Sequence, residues 1–226
     1  MTEVPNLEDA LSWTGDEPYA VILWNTENMD QPLSLTPAEE IYCNELTHPK
    51  RKHEFAKSRA LFHKVSNPTF NLLRREGQAP IWPPGMNGSI AHRHGSVGLA
   101  LTRDNLLCGA DIEVIHPKII ETWSWHADEQ EISLGRKVSE QANVPVEAVA
   151  TLFFSFKESV FKALHPNFAD LCTSIQDIDI LSVDWIAHKL SARCRAVDEN
   201  TTFSGSFVFN DSRTRVATIC AFEKIL

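Results

Sequence analysis

Apolar and polar residues follow one another along this chain in blocks whose period changes. Residues 19–24 form a short, β-rich apolar run that reads as a buried strand. Thr36-Pro37-Ala38-Glu39 is a helix start, with a hydroxyl cap, Pro at the first helical position and Glu closing the capping box. A second helix is expected from about 50 to 65, with Phe55, Leu61, Phe62 and Val65 roughly on one side. A loop rich in Gly and Pro covers 77–88. Three short strands follow at 89–92, 96–102 and 106–113, the last two joined by the turn Arg103-Asp104-Asn105. A helix is expected near Asp128, and a stronger one over about 145–164 that stops at His165-Pro166. Its apolar side is marked by Phe154, Phe161 and Leu164. Alternating runs at 178–186, 189–197, 203–209 and 215–222 complete the chain, and the first 18 residues read as a loosely ordered lead-in.

Strands and helices segregated in this order predict an α+β fold. The two halves have similar size and element order, with a boundary near residue 104. The expectation is two similar α+β lobes, 1–104 and 105–226, with a cleft between them.

Composition narrows the function. The chain has 226 residues, 43% hydrophobic and 23% charged, ordinary for a globular protein. A net charge of −9 disfavours a general nucleic-acid binder. The five cysteines (43, 108, 172, 194 and 220) form no CxxC pair and suit reduced thiols in a cytosol. Residues 1–13 carry acids and no base, unlike a signal peptide, and no apolar run is long enough for a membrane span. A soluble cytoplasmic protein is expected.

Four segments could carry chemistry. In Gly109-Ala110-Asp111-Ile112-Glu113, strand alternation puts both carboxylates on one face and Ile112 on the other. Paired oxygens suit Mg²⁺, a hard cation; the competing view is a solvated strand end. In Phe153-Phe154-Ser155-Phe156-Lys157-Glu158-Ser159-Val160-Phe161-Lys162, Glu158 and Lys162 share a helix face, as a third carboxylate beside a phosphate-binding lysine or as a surface ion pair. In the basic run 49–59, Arg51 and Arg59 lie about two helical turns apart and could grip phosphate. The alternatives there are a solvated face or a nucleic-acid patch. The run 82–92 brings a rigid loop into a strand ending at His92, a phosphate donor or a core histidine.

In this order and spacing, the segments KRKHEFAKSR, PIWPPGMNGSIAH, GADIE and FSFKESVFKA resemble the larger, single-chain 4′-phosphopantetheinyl transferases, most of all the enterobactin-synthase-type branch. That resemblance implies transfer of the phosphopantetheine arm of coenzyme A to a serine of an apo acyl or peptidyl carrier protein, leaving 3′,5′-ADP. It implies two similar α+β lobes with coenzyme A and Mg²⁺ in the cleft. Asp111, Glu113 and Glu158 match the metal-binding acids, and Asp111 also borders coenzyme A. Arg51 and Arg59 match the basic pair that grips coenzyme A, His92 the histidine at its 3′-phosphate, and Lys157 and Lys162 the lysines around the phosphates. Glu158 is the expected base, with Lys162 and His92 as its catalytic neighbours. Two lobes in one chain make a monomer the expectation. A non-catalytic coenzyme A or carrier-binding module on the same fold is the alternative.

Three positions depart from that pattern. Ala91 stands where a hydroxyl residue is usual, Ser58 where Gly is common, and the usual Lys near Gly77 is missing, with Arg74 or Arg75 as a substitute. Trp123 and Trp125 follow the acid-bearing strand and are expected either at a carrier-docking surface or in the core.

Overall fold

Short β-rich runs build two antiparallel sheets, and longer runs supply the helices packed on them. The computed structural model describes residues 12–13, 19–25, 34–66, 69–74, 79–103, 105–197 and 200–223. Most of the expected lead-in, and the Arg75, Gly77 and Asp104 positions, lie outside the described residues. The first sheet contains β1 (Ser12–Trp13), β2 (Tyr19–Asn25), β3 (Met86–Arg93) and β4 (Ser96–Arg103), in the order β1-β2-β4-β3. The second contains β5 (Leu106–Val114), β6 (Ile178–Asp184), β7 (Lys189–Cys194), β8 (Phe203–Phe209) and β9 (Arg215–Glu223), in the order β5-β9-β8-β7-β6. The chain therefore changes sheets between Arg103 and Leu106.

The helices are α1 (Pro37–Glu45), α2 (Pro49–Val65), α3 (Glu129–Ala142) and α4 (Val146–Phe168). Capping boxes open two of them, Thr36 with Glu39 for α1 and Asp128 with Glu131 for α3. Two 3-10 segments, Pro117–Trp125 and Ile175–Asp177, complete the helical elements. β3 starts at Met86, three residues before the expected strand, because Met86–Gly88 already pair with β4. α4 runs through Pro166 instead of stopping at 165. The proline forfeits one backbone hydrogen bond, to the carbonyl four residues earlier, and only two helical residues follow it.

Packing explains which side of α4 is apolar. Phe153, Phe156, Val160 and Leu164 are fully buried in the core formed with the second sheet and α3, whereas Phe154 and Phe161 are only half-buried. α2 packs Leu61 and Phe62 against Val97 and Leu99 of β4. Between the sheets lies a layer of mostly small side chains: Ala91, Ala100, Cys108, Ala110, Ile112, Ala217 and Ile219. Their size lets the edge strands β3 and β5 approach closely, and Asn87 Nδ2 donates to the Leu106 carbonyl across the junction at 2.7 Å.

The other face of β5 meets α4 so closely that Gly109 is required. A Cβ there would overlap the Ser159 carbonyl oxygen and come within 2.8 Å of the Ala163 backbone nitrogen. Backbone cannot rotate away as a side chain can. Gly109→Ala is expected to destabilise the fold by about 3 kcal/mol, the upper part of the usual overpacking range. A urea titration followed by circular dichroism checks this; an unchanged midpoint would mean that α4 does not press on β5 at this residue.

Candidate active site

Strand pleating carries Gly109, Asp111 and Glu113 on the face of β5 that α4 covers, while Ala110 and Ile112 turn into the inter-sheet layer. Antiparallel pairing sets Asp111 opposite Thr218 of β9. Thr218 anchors α4: its hydroxyl lies 2.9 Å from Ser155 Oγ and 2.7 Å from Ser159 Oγ. Ser159 also donates to the Thr218 carbonyl at 3.1 Å. These buried hydroxyls fix the register of α4 on β5 and β9. One turn beyond Ser155 and Ser159, that register delivers Glu158 and Lys162 to the acids.

Lys162 Nζ donates to Asp111 Oδ1 at 2.6 Å and to the Ala110 carbonyl at 3.3 Å. Asp111 is 6% exposed, and its Oδ2 is buried with no hydrogen-bond partner among the described residues. Burial, together with the neighbouring Asp111 charge, pushes the Glu113 carboxyl up to about 7, against the pull of Arg93 and Lys162. Burial also raises Glu158, Asp111 adding to the rise and Lys162 opposing it. Three carboxylates thus share a poorly hydrated space with too little positive charge, and one buried oxygen is left unpaired. A bare carboxylate oxygen is costly to bury. The donor set is all oxygen, the kind a hard divalent cation such as Mg²⁺ takes, but the three carboxylates do not all bring an oxygen within 4.8 Å of one another, as Asp128, Glu131 and Asp179 do.

His92 reaches the same group from the first sheet. Its half-exposed imidazole places Nδ1 3.5 Å from Glu54 Oε1. Partial burial lowers its basicity, Lys162 and Lys50 act in the same sense, and Glu54 opposes them. Beside it opens a cavity of about 750 Å³ whose wall includes Arg51, Glu54, Arg59, Arg74, Ile90 and His92. Arg51 is exposed on α2. Arg59 is buried, stacked 3.9 Å over the Phe55 ring, and bound through Nε to the Leu72 carbonyl at 2.8 Å. Burial brings its guanidinium down to about 10. Ser58 has a function of its own here: its hydroxyl accepts from Arg59 Nη1 at 2.8 Å and donates to the Phe55 carbonyl. Arg59 Nη2 and Arg74 Nε are buried donors without hydrogen-bond partners among the described residues. Ala91 belongs to the small-residue layer between the sheets.

The geometry therefore brings Asp111, Glu113, Glu158, Lys162 and His92 together, with Arg51 and Arg59 on the adjoining cavity. It does not bring Lys157. That side chain is 1% exposed, and its ammonium donates to Glu131 Oε2 at 2.7 Å and to the His126 carbonyl at 2.6 Å. One residue on a helix is a rotation of about 100°, which aims Lys157 at α3 while Glu158 faces β5. Asp128, Glu131 and Asp179 form a second acidic cluster there, but Lys157, Arg193 and Arg195 already neutralise it. The two tryptophans separate: Trp123 is core and Trp125 is 70% exposed. Two site residues were missed in the sequence. Glu54 could have been found from its spacing to Lys50, with which it forms an i,i+4 pair. Arg93 could have been found from its place next to His92.

Both halves of the chain match known proteins. Residues 39–102 match the 4′-phosphopantetheinyl transferase N-terminal domain, and residues 107–220 match the 4′-phosphopantetheinyl transferase superfamily. Over 150 residues the chain is 33% identical to the 4′-phosphopantetheinyl transferase Svp of Streptomyces mobaraensis; the alignment covers 62% of this chain and 59% of that protein.

Proposed function

The chain belongs to the 4′-phosphopantetheinyl transferase superfamily, and from that premise we propose that it transfers the phosphopantetheine arm of coenzyme A to a serine of an apo carrier protein, releasing 3′,5′-ADP. The observation that carries this reading is the convergence of Asp111, Glu113 and Glu158 around Lys162, at the junction of the two sheets and beside the arginine-lined cavity. The two α+β halves are the lobes of the active enzyme, and that junction is its cleft. The ordered motifs support the enterobactin-synthase-type branch and so a carrier of secondary metabolism. Five free cysteines suit a reducing cytoplasm, and no described helix is long and apolar enough to cross a membrane. Both halves in one chain suit a monomer.

In this reading Arg51, Arg59, Arg74 and His92 hold the phosphates of coenzyme A. The unpartnered donors of Arg59 and Arg74 are the atoms that await them. The carrier serine attacks the phosphorus that bears the pantetheine; its Oγ–P bond forms as the P–O bond to 3′,5′-ADP breaks. Glu158 takes the serine proton, directly or through a water. Lys162 stabilises the charge that gathers on the leaving phosphate. Asp111, Glu113 and Glu158 would hold Mg²⁺, which when bound would supply Lewis-acid neutralisation of the diphosphate.

Exposed Arg51 gives the cleanest test of the coenzyme A site. Arg51→Ala is expected to weaken coenzyme A by roughly 1.5–3 kcal/mol, the worth of one charge-assisted hydrogen bond. Dephospho-coenzyme A, which lacks the 3′-phosphate, should lose much less. Calorimetry with both ligands decides, and equal losses would remove Arg51 from the 3′-phosphate.

A further inference from the structure

Arg93 follows His92 at the end of β3, just before the tight turn His94-Gly95, where φ is +45° and +85°. Its Nε lies 2.9 Å from Glu113 Oε2, joining the edge strand of the first sheet to the acid-bearing strand of the second. Both strand acids consequently hold a cation supplied by the protein, Asp111 holding Lys162 and Glu113 holding Arg93. The two cations are anchored differently. Lys162 has a second partner in the Ala110 carbonyl. For Arg93, Glu113 is the one partner among the described residues, and the arginine side chain is half exposed while the glutamate is 12% exposed.

We propose that Arg93 is a competing cation, which occupies Glu113 while no divalent ion is bound and releases it when an ion enters. This rests on the reading of Asp111, Glu113 and Glu158 as a divalent-cation site. An ion coordinated by Glu113 places two positive charges beside a guanidinium already in contact with the same carboxylate, and that repulsion is relieved only if Arg93 withdraws. Withdrawal is open to it. Arg93 already lines a second cavity, of about 370 Å³, shared with His48, Lys50, Arg51, Glu54, His92 and His94. Glu54 is the one acid on that wall and can receive the guanidinium. Arg93 thereby sets the concentration at which the site takes up its ion, and it links ion entry to a new positive charge on the coenzyme A side.

The test is Mn²⁺ binding to the full chain without coenzyme A, measured by electron paramagnetic resonance of the free ion and by calorimetry. Arg93→Gln is expected to tighten Mn²⁺ about tenfold, the effect of removing one charge a few ångström away. Arg93→Lys keeps the charge and should stay near the wild-type affinity, and Asp111→Asn should abolish binding. If Arg93→Gln binds Mn²⁺ no more tightly than wild type while Asp111→Asn loses it, the ion site stands and the competition is refuted. Equal tightening by Arg93→Lys and Arg93→Gln would refute it as well. No Mn²⁺ binding by either wild type or Arg93→Gln would overturn the divalent-site reading, and the proposal with it.

Discussion

Asp111→Ala is expected to reduce phosphopantetheine transfer by on the order of 10³-fold or more while the protein stays folded. The size follows from losing several kcal/mol of charge stabilisation at a phosphoryl centre. Asp111 serves the site twice, as a candidate ion ligand with a buried, unpaired Oδ2 and as the partner that holds Lys162 at 2.6 Å. Truncation removes both at once. Folding should tolerate it, because the lost carboxylate oxygen was unsatisfied and Lys162 is partly exposed and keeps the Ala110 carbonyl. Transfer assayed at saturating Mg²⁺, with circular dichroism as the folding control, checks both halves. Wild-type turnover would remove Asp111 from the chemistry; an unfolded variant would make it a structural acid.

The second large effect is expected at Lys162. Lys162→Ala should lower the rate by about 10²–10³-fold, as loss of one preorganised electrostatic donor does elsewhere. Its effect on Mg²⁺ affinity should be opposite in sign to that of Glu158→Gln. Removing an ammonium from Asp111 frees a carboxylate, so the ion binds no more weakly, whereas removing the Glu158 charge weakens it. Lys162→Arg should recover only part of the rate, since a planar fork cannot occupy the position of an ammonium that touches both Asp111 and a backbone carbonyl. Single-turnover transfer with a parallel Mg²⁺ titration separates the two roles. Equal loss of ion binding in Lys162→Ala and Glu158→Gln would make the division of labour wrong.

Local signals carried much of the fold. Thr36-Pro37-Ala38-Glu39 encodes a capping box because all its partners lie within four residues, and the box forms as read. The same-face placement of Asp111 and Glu113 follows from the strand period alone. Other features depend on packing that no local pattern reports. The buried side of α4 is Phe153, Phe156, Val160 and Leu164, because α3 and the second sheet enclose that helix from two directions. For the same reason Lys157, next to Glu158 in sequence, ends in the core against Glu131, which lies 26 residues earlier. The Arg93–Glu113 pair joins two sheets whose meeting is set by the small residues between them, and neither member signals the other in the sequence. Ser58 reads only as a departure from Gly until the structure places its hydroxyl on the Arg59 guanidinium.

The most direct measurement is the intact mass of an apo carrier protein incubated with this protein, coenzyme A and Mg²⁺. The account predicts that the carrier gains the mass of one phosphopantetheine group on its serine, that 3′,5′-ADP appears in equal amount, and that a carrier with that serine changed to alanine gains nothing. An unmodified carrier across a panel of acyl and peptidyl carriers, with coenzyme A demonstrably bound to the protein, would contradict it.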